Sequence, residues 1–105
     1  MSRLVQTKSD VWAAIKSNQN RIKAFGVKKL GLFGSFVREE QRQDSDIDLL
    51  VEFEQDKKTF KNFMALSFFL EDILNRQIEL VTTESISPYI RPYIVKEVEY
   101  VTFAS

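Results

Sequence analysis

Asp46 and Asp48 stand two residues apart in the segment DIDLLVEF, where Ile47, Leu49, Val51 and Phe53 alternate with Asp46, Asp48, Leu50 and Glu52. Alternation of period two predicts a strand, on which the two Asp side chains leave the same face about 6.5–7 Å apart at the backbone. Two carboxylates so placed can converge on one hard cation. Mg²⁺ takes oxygen ligands in an octahedron, commonly one or two carboxylates with water and substrate phosphates, and without a cation two like charges this close repel. Taken alone, the pair is better described as a solvated strand entrance.

Ten residues separate this pair from an upstream Gly34-Ser35. That dipeptide follows a short apolar segment, VKKLGLF, and opens a predicted short helix over Phe36 to Glu40. At such a turn, backbone N–H groups can receive a phosphate, and glycine lets the backbone approach it closely. Alone, Gly-Ser is also an ordinary turn with a helix cap. With three Gly, nine Ser and six Asp in 105 residues, the combined spacing would arise by chance on the order of once in a thousand.

The elements that must position these residues follow from periodicity. Val11, Trp12, Ile15, Ile22 and Phe25 recur at helical spacing, with Ser9 or Asp10 as N-cap and Gly26 as the stop, which predicts one first helix. Val27 to Phe33 predicts a strand running into the Gly-Ser turn. Phe60 to Leu74 is apolar almost all round and predicts a largely buried helix. Arg76 to Val81 predicts a third strand, with Glu79 and Val81 opposite Ile78 and Leu80. A last helix is expected to begin between Ser87 and Arg91 and end at Val98, and Tyr100 to Phe103 is expected to pair as an edge strand. The order α-β-α-β-α-β-α predicts an α/β fold, a small mixed sheet with helices packed on it, in a single domain spanning residues 1–105.

Composition limits the chemistry. The chain has neither Cys nor His, which removes disulfides, Cys/His zinc sites, thiol nucleophiles and His-based triads. Fifteen basic and fifteen acidic residues cancel, which weighs against coating duplex nucleic acid. The cancellation hides a gradient of +6 over residues 1–30, −4 over 31–60 and −2 over 61–105. An acidic middle beside a basic N-terminal third suits cations held near an anion, and equally describes solvated helix faces of opposite sign. No apolar run approaches a membrane span and no secretory leader is legible, so a cytoplasmic protein is expected.

The segment GSFVREEQRQDSDIDLLVEF resembles the signature of the polymerase-β-type nucleotidyltransferases, and the short chain is similar to their minimal nucleotidyltransferase (MNT) family. The likeness continues through RQIELVT and SPYIRPYIVKEVEYV and covers residues 25 to 103. It implies a polymerase-β-like fold and transfer of a nucleoside monophosphate from an NTP to a hydroxyl, with two Mg²⁺ ions held by three carboxylates. By position, Asp46, Asp48 and Glu79 would be the metal and catalytic carboxylates, and Gly34, Ser35 and Arg38 would hold the triphosphate of ATP. Glu79 would also help to deprotonate the acceptor. The family more often carries Asp at the Glu79 position, and commonly Gly where Glu39 stands.

Such proteins resemble the antitoxins of pairs whose toxin is a helical HEPN-domain ribonuclease, some of which transfer AMP onto a Tyr of that partner. The resemblance thus implies a protein adenylyltransferase. An antitoxin that neutralises its partner by binding alone is the alternative, and transfer to a small molecule is a third reading, for which 105 residues leave little room. The apolar helix 60–74 raises a separate question. Either Tyr89, Tyr93, Ile94 and Val98 wrap its outer face, or some of Phe63, Leu66, Phe68 and Phe69 lie exposed as a surface for a partner or a second copy.

Overall fold

The computed structural model describes residues 5–103. Thr7, upstream of the expected cap, starts the first helix, α1 (Lys8–Ser17), through a capping box in which its side chain accepts from the Asp10 N–H and the Asp10 carboxylate accepts from Thr7 N–H. The predicted single helix is broken at Asn18, whose side chain turns back to donate to the Ala14 carbonyl. A second helix, α2 (Gln19–Ala24), carries the apolar spacing onward, and Gly26, at φ 90°, turns the chain into β1 (Val27–Phe33).

After β1 come the four-residue α3 (Ser35–Arg38), β2 (Ile47–Phe53), α4 (Phe60–Leu74), β3 (Ile78–Thr82), α5 (Arg91–Glu97) and β4 (Glu99–Thr102). The expected spans of β1 and α4 are met at both ends. α3 starts one residue before the expected Phe36 and stops before Glu40. α5 begins at the last expected position, with Pro92 in its first turn, where a missing N–H leaves no bond unmade.

The sheet has the order β3-β2-β1-β4; β1 runs antiparallel to β2 and β4, and β2 runs parallel to β3. Alternation along β2 sorts the molecule into two faces. Ile47, Leu49, Val51 and Phe53 join a core with Val11 and Ile15 of α1, Ile22 of α2 and Leu66, Leu70 and Leu74 of α4. Leu50 points to the other face and packs with Ile86 and Ile94 from the segment containing α5.

This arrangement corrects the expectation that α4 is largely buried, and of the two alternatives for its outer face it favours the exposed one, through Phe68 and not Leu66. The fully buried residues of α4 form one stripe, Leu66, Leu70 and Leu74, while Phe60 and Phe68 are 79% and 63% exposed. The C-terminal segment does not wrap it, because that segment lies across the opposite face of the sheet. Phe69 is instead half-covered by Phe25, at 5.4 Å between ring centroids, and by the Arg21 guanidinium at 4.8 Å.

Candidate active site

The face opposite α4 carries the acidic residues. β2 and β3 pair in register, with Asp48 directly opposite Glu79, so in-register side chains put both carboxylates on the face that also bears Leu50 and Val81. On its other side Asp48 is opposite Phe33, the last residue of β1. The next residue, Gly34, caps α3 at φ 79° and ψ −153°. A Cβ there would fall on the Asp48 carboxylate. Glycine is therefore required twice, by its left-handed backbone and by the acid packed against it.

Asp48 is half-buried, and its carboxyl is pushed up from 3.8 to about 6. Burial is the largest cause; the negative charge of Glu79, a hydrogen bond from the protonated form to Glu79 and the charge of Asp46 add to it, and Arg38 opposes them. Asp46, just before β2, is exposed. The fold thus brings Asp48 and Glu79 side by side with Asp46 within electrostatic reach. Among the described residues, no three acidic groups are already gathered closely enough to hold a metal ion as they stand. As a donor set, hard oxygen ligands with negative charge in excess fit a hard divalent cation such as Mg²⁺, which would relieve the repulsion that raises Asp48.

The expected phosphate side is engaged by another acid. Glu97, at the end of α5, accepts from the Gly34 N–H at 2.6 Å and from Arg38 Nη1 at 2.9 and 3.2 Å. Arg38 Nε donates to Glu40 at 2.9 Å. Gly34 and Arg38 thus do bind an oxyanion together, here a carboxylate with two oxygens. Ser35 lies beside them at the start of α3. Glu39, where the resemblance implies glycine, takes a left-handed conformation at φ 58°. The turn is therefore kept, at the steric cost a side chain carries in that region.

Two residues in this region escaped the sequence reading. Glu97 lies 63 residues from Gly34, too far for spacing to reveal the contact. Arg76 stands, by periodicity, only at the start of the third strand. Its signal was a lone Arg between an apolar helix and an apolar strand, a place where a charge needs a specific partner.

Comparison with known families matches residues 10–101 to the Nucleotidyltransferase domain. A protein adenylyltransferase, MntA, of Thermococcus cleftensis is 42% identical over 77 residues, 73% of this chain and 77% of that protein. Among solved structures, one described as a minimal nucleotidyltransferase superposes with a TM-score of 0.77 at 28% identity, over 90% of this chain and 95% of that one. A toxin–antitoxin structure with AMP-PNP superposes with a TM-score of 0.61 at 25% identity, over 79% of this chain and 71% of that one.

Proposed function

The chain belongs to the nucleotidyltransferase domain family, and from that premise we propose that it is a protein adenylyltransferase that moves AMP from ATP to a Tyr hydroxyl of a HEPN-domain toxin and thereby acts as its antitoxin. The observation that carries this reading is the pairing of Asp48 with Glu79 on one sheet face, against the turn at Gly34. The Thermococcus relative, named a protein adenylyltransferase, and the toxin–antitoxin structure with AMP-PNP support a protein as acceptor, an ATP-like nucleotide and a toxin as partner.

In the reaction, the acceptor oxygen forms a bond to the α-phosphorus of ATP, the bond from that phosphorus to the pyrophosphate oxygen breaks, and pyrophosphate leaves. The acceptor proton passes to a carboxylate, for which Glu79, exposed at the sheet face, is the candidate. Asp46, Asp48 and Glu79 would hold Mg²⁺, which when bound neutralises charge on the reacting phosphate oxygens. Gly34 N–H, Ser35 and Arg38 would bind the phosphates, in the place that Glu97 takes here.

A second reading, an antitoxin that acts by occlusion alone, draws on that same Glu97 contact. Incubation with a co-encoded HEPN protein, Mg²⁺ and ATP labelled at the α-phosphate separates the two. The proposal expects Mg²⁺-dependent label on a partner Tyr. Neutralisation of the toxin with no label on either protein favours occlusion.

A further inference from the structure

Arg76 occupies the turn between α4 and β3, after Asn75, which caps α4 in a left-handed conformation. Its guanidinium is committed to backbone. Nε donates to the Ser45 carbonyl at 2.8 Å, Nη2 to the carbonyls of Gln43 at 2.7 Å and of Arg42, and Nη1 to the carbonyl of Val5. The plane also lies over the ring of the fully buried Phe36, 4.9 Å from its centroid. One side chain thus joins the N-terminal segment, the loop before β2, the helix that opens at Gly34-Ser35, and the start of β3.

These bonds bracket Asp46. The residue before it, Ser45, gives its carbonyl to Arg76, and the residue after it, Ile47, donates its N–H to the Gln77 carbonyl at 3.1 Å. The dipeptide 76–77 therefore grips the chain on both sides of Asp46, and β3, which follows it directly, delivers Glu79 two residues later. Among the described residues, the loop from Gln41 to Ser45 is otherwise tied by the local pair Arg42–Ser45 and by Gln41 donating to the Gln6 carbonyl. A loop held so lightly would let Asp46 swing outward, away from the like charge of Asp48, at little cost.

We infer that Arg76 is a positioning residue, which acts through the Ser45–Asp46 peptide to limit how far Asp46 can move from Asp48 and Glu79, so that side-chain rotation alone can gather the three carboxylates on a divalent cation. This rests on the metal role proposed for those acids. A guanidinium suits the task because its fixed fork can serve several carbonyls at once, which an ammonium cannot, and support of this kind behind a ligand set commonly governs metal affinity.

The test is Mn²⁺ binding, followed by electron paramagnetic resonance, to the wild-type protein and to its Arg76→Met, Arg76→Lys, Asp46→Asn and Arg76→Met/Asp46→Asn variants, with a thermal melt of each. Arg76→Met keeps bulk against Phe36 and is expected to fold, but to need at least tenfold more Mn²⁺; Arg76→Lys should fall between. In the Asp46→Asn background, Arg76→Met should add little, because the route through Asp46 is already lost. Wild-type affinity in Arg76→Met, or full additivity with Asp46→Asn, overturns the inference, as does failure of both Arg76 variants to fold. Absence of Mn²⁺ binding by the wild type instead overturns the metal role itself, and the inference with it.

Discussion

The Gly34 backbone lies so close to the Asp48 carboxylate that a Cβ on Gly34 would stand well inside van der Waals contact of Asp48 Oδ2. The turn expected to bind phosphate and the strand that carries the acids are thus built as one unit, with neither free to move without the other. Gly34→Ala would combine a strained positive φ with displacement of the Asp48 carboxylate. It should cost about 1–3 kcal/mol and abolish transfer even at temperatures where the variant is folded. Thermal melts and transfer assays on the same sample check this.

Asp48 makes stability depend on pH in a definite direction. In the unfolded chain it ionises near 3.8, and in the fold only near 6. Below pH 3.8 both states are protonated and the site carries no penalty. Between these values the folded state retains a proton that the unfolded state has lost, so the stability contributed is lost as pH rises and is gone above about 6. Asp48→Asn should therefore melt higher than wild type at pH 7.5 in metal-free buffer, by about 1 kcal/mol once screening of this half-exposed group is allowed for. At pH 3.5 the difference should vanish, and transfer should be lost at every pH.

Glu97 competes for the groups proposed to bind phosphate, since its carboxylate takes the Gly34 N–H and Arg38. Glu97→Gln removes that negative charge and should lower the KM for ATP several-fold, with kcat changed less. Steady-state kinetics over a range of ATP concentrations decides the point. A raised KM would show that Glu97 serves instead to orient Arg38.

The two adjacent phenylalanines of α4 should respond oppositely. Phe68 is 63% exposed, whereas Phe69 packs against Phe25 and under Arg21. Phe68→Ser should leave melting within about 0.5 kcal/mol of wild type, and Phe69→Ser should cost about 1–3 kcal/mol. If Phe68 contacts the partner, its replacement should weaken the complex, as measured by calorimetric titration with the toxin.

What could be read from the sequence was whatever depends on near neighbours along the chain. α4 was legible at both ends because its apolar residues recur at helical spacing without a break, and β1 because Leu30 and Leu32 alternate up to the Gly34 turn, although a register shift between Val27 and Lys29 interrupts its period. The Gly34, Asp46 and Asp48 spacing pointed to one site because β1, α3 and β2 are consecutive. The break at Asn18 was hidden, since Ile15 and Ile22 keep helical spacing across it and only the side chain's bond to Ala14 reveals the interruption. The position of α5 was hidden as well. Ile94 and Val98 are apolar enough to cover either face, and the choice was made by Leu50, which points away from the helical layer. Glu97 and Arg76 act across 59 to 63 and 31 to 71 residues respectively, where periodicity carries no information.

The central claim is that the Asp48–Glu79 pair is the seat of AMP transfer. Intact-mass spectrometry of the HEPN partner, after reaction with wild type, Glu79→Gln and Glu79→Asp at matched folded concentrations, tests it most directly. Glu79→Gln should slow AMP addition about 10²–10⁴-fold, with melting little changed because Glu79 is exposed, and Glu79→Asp should retain addition. Equal AMP addition by Glu79→Gln and wild type would contradict the account.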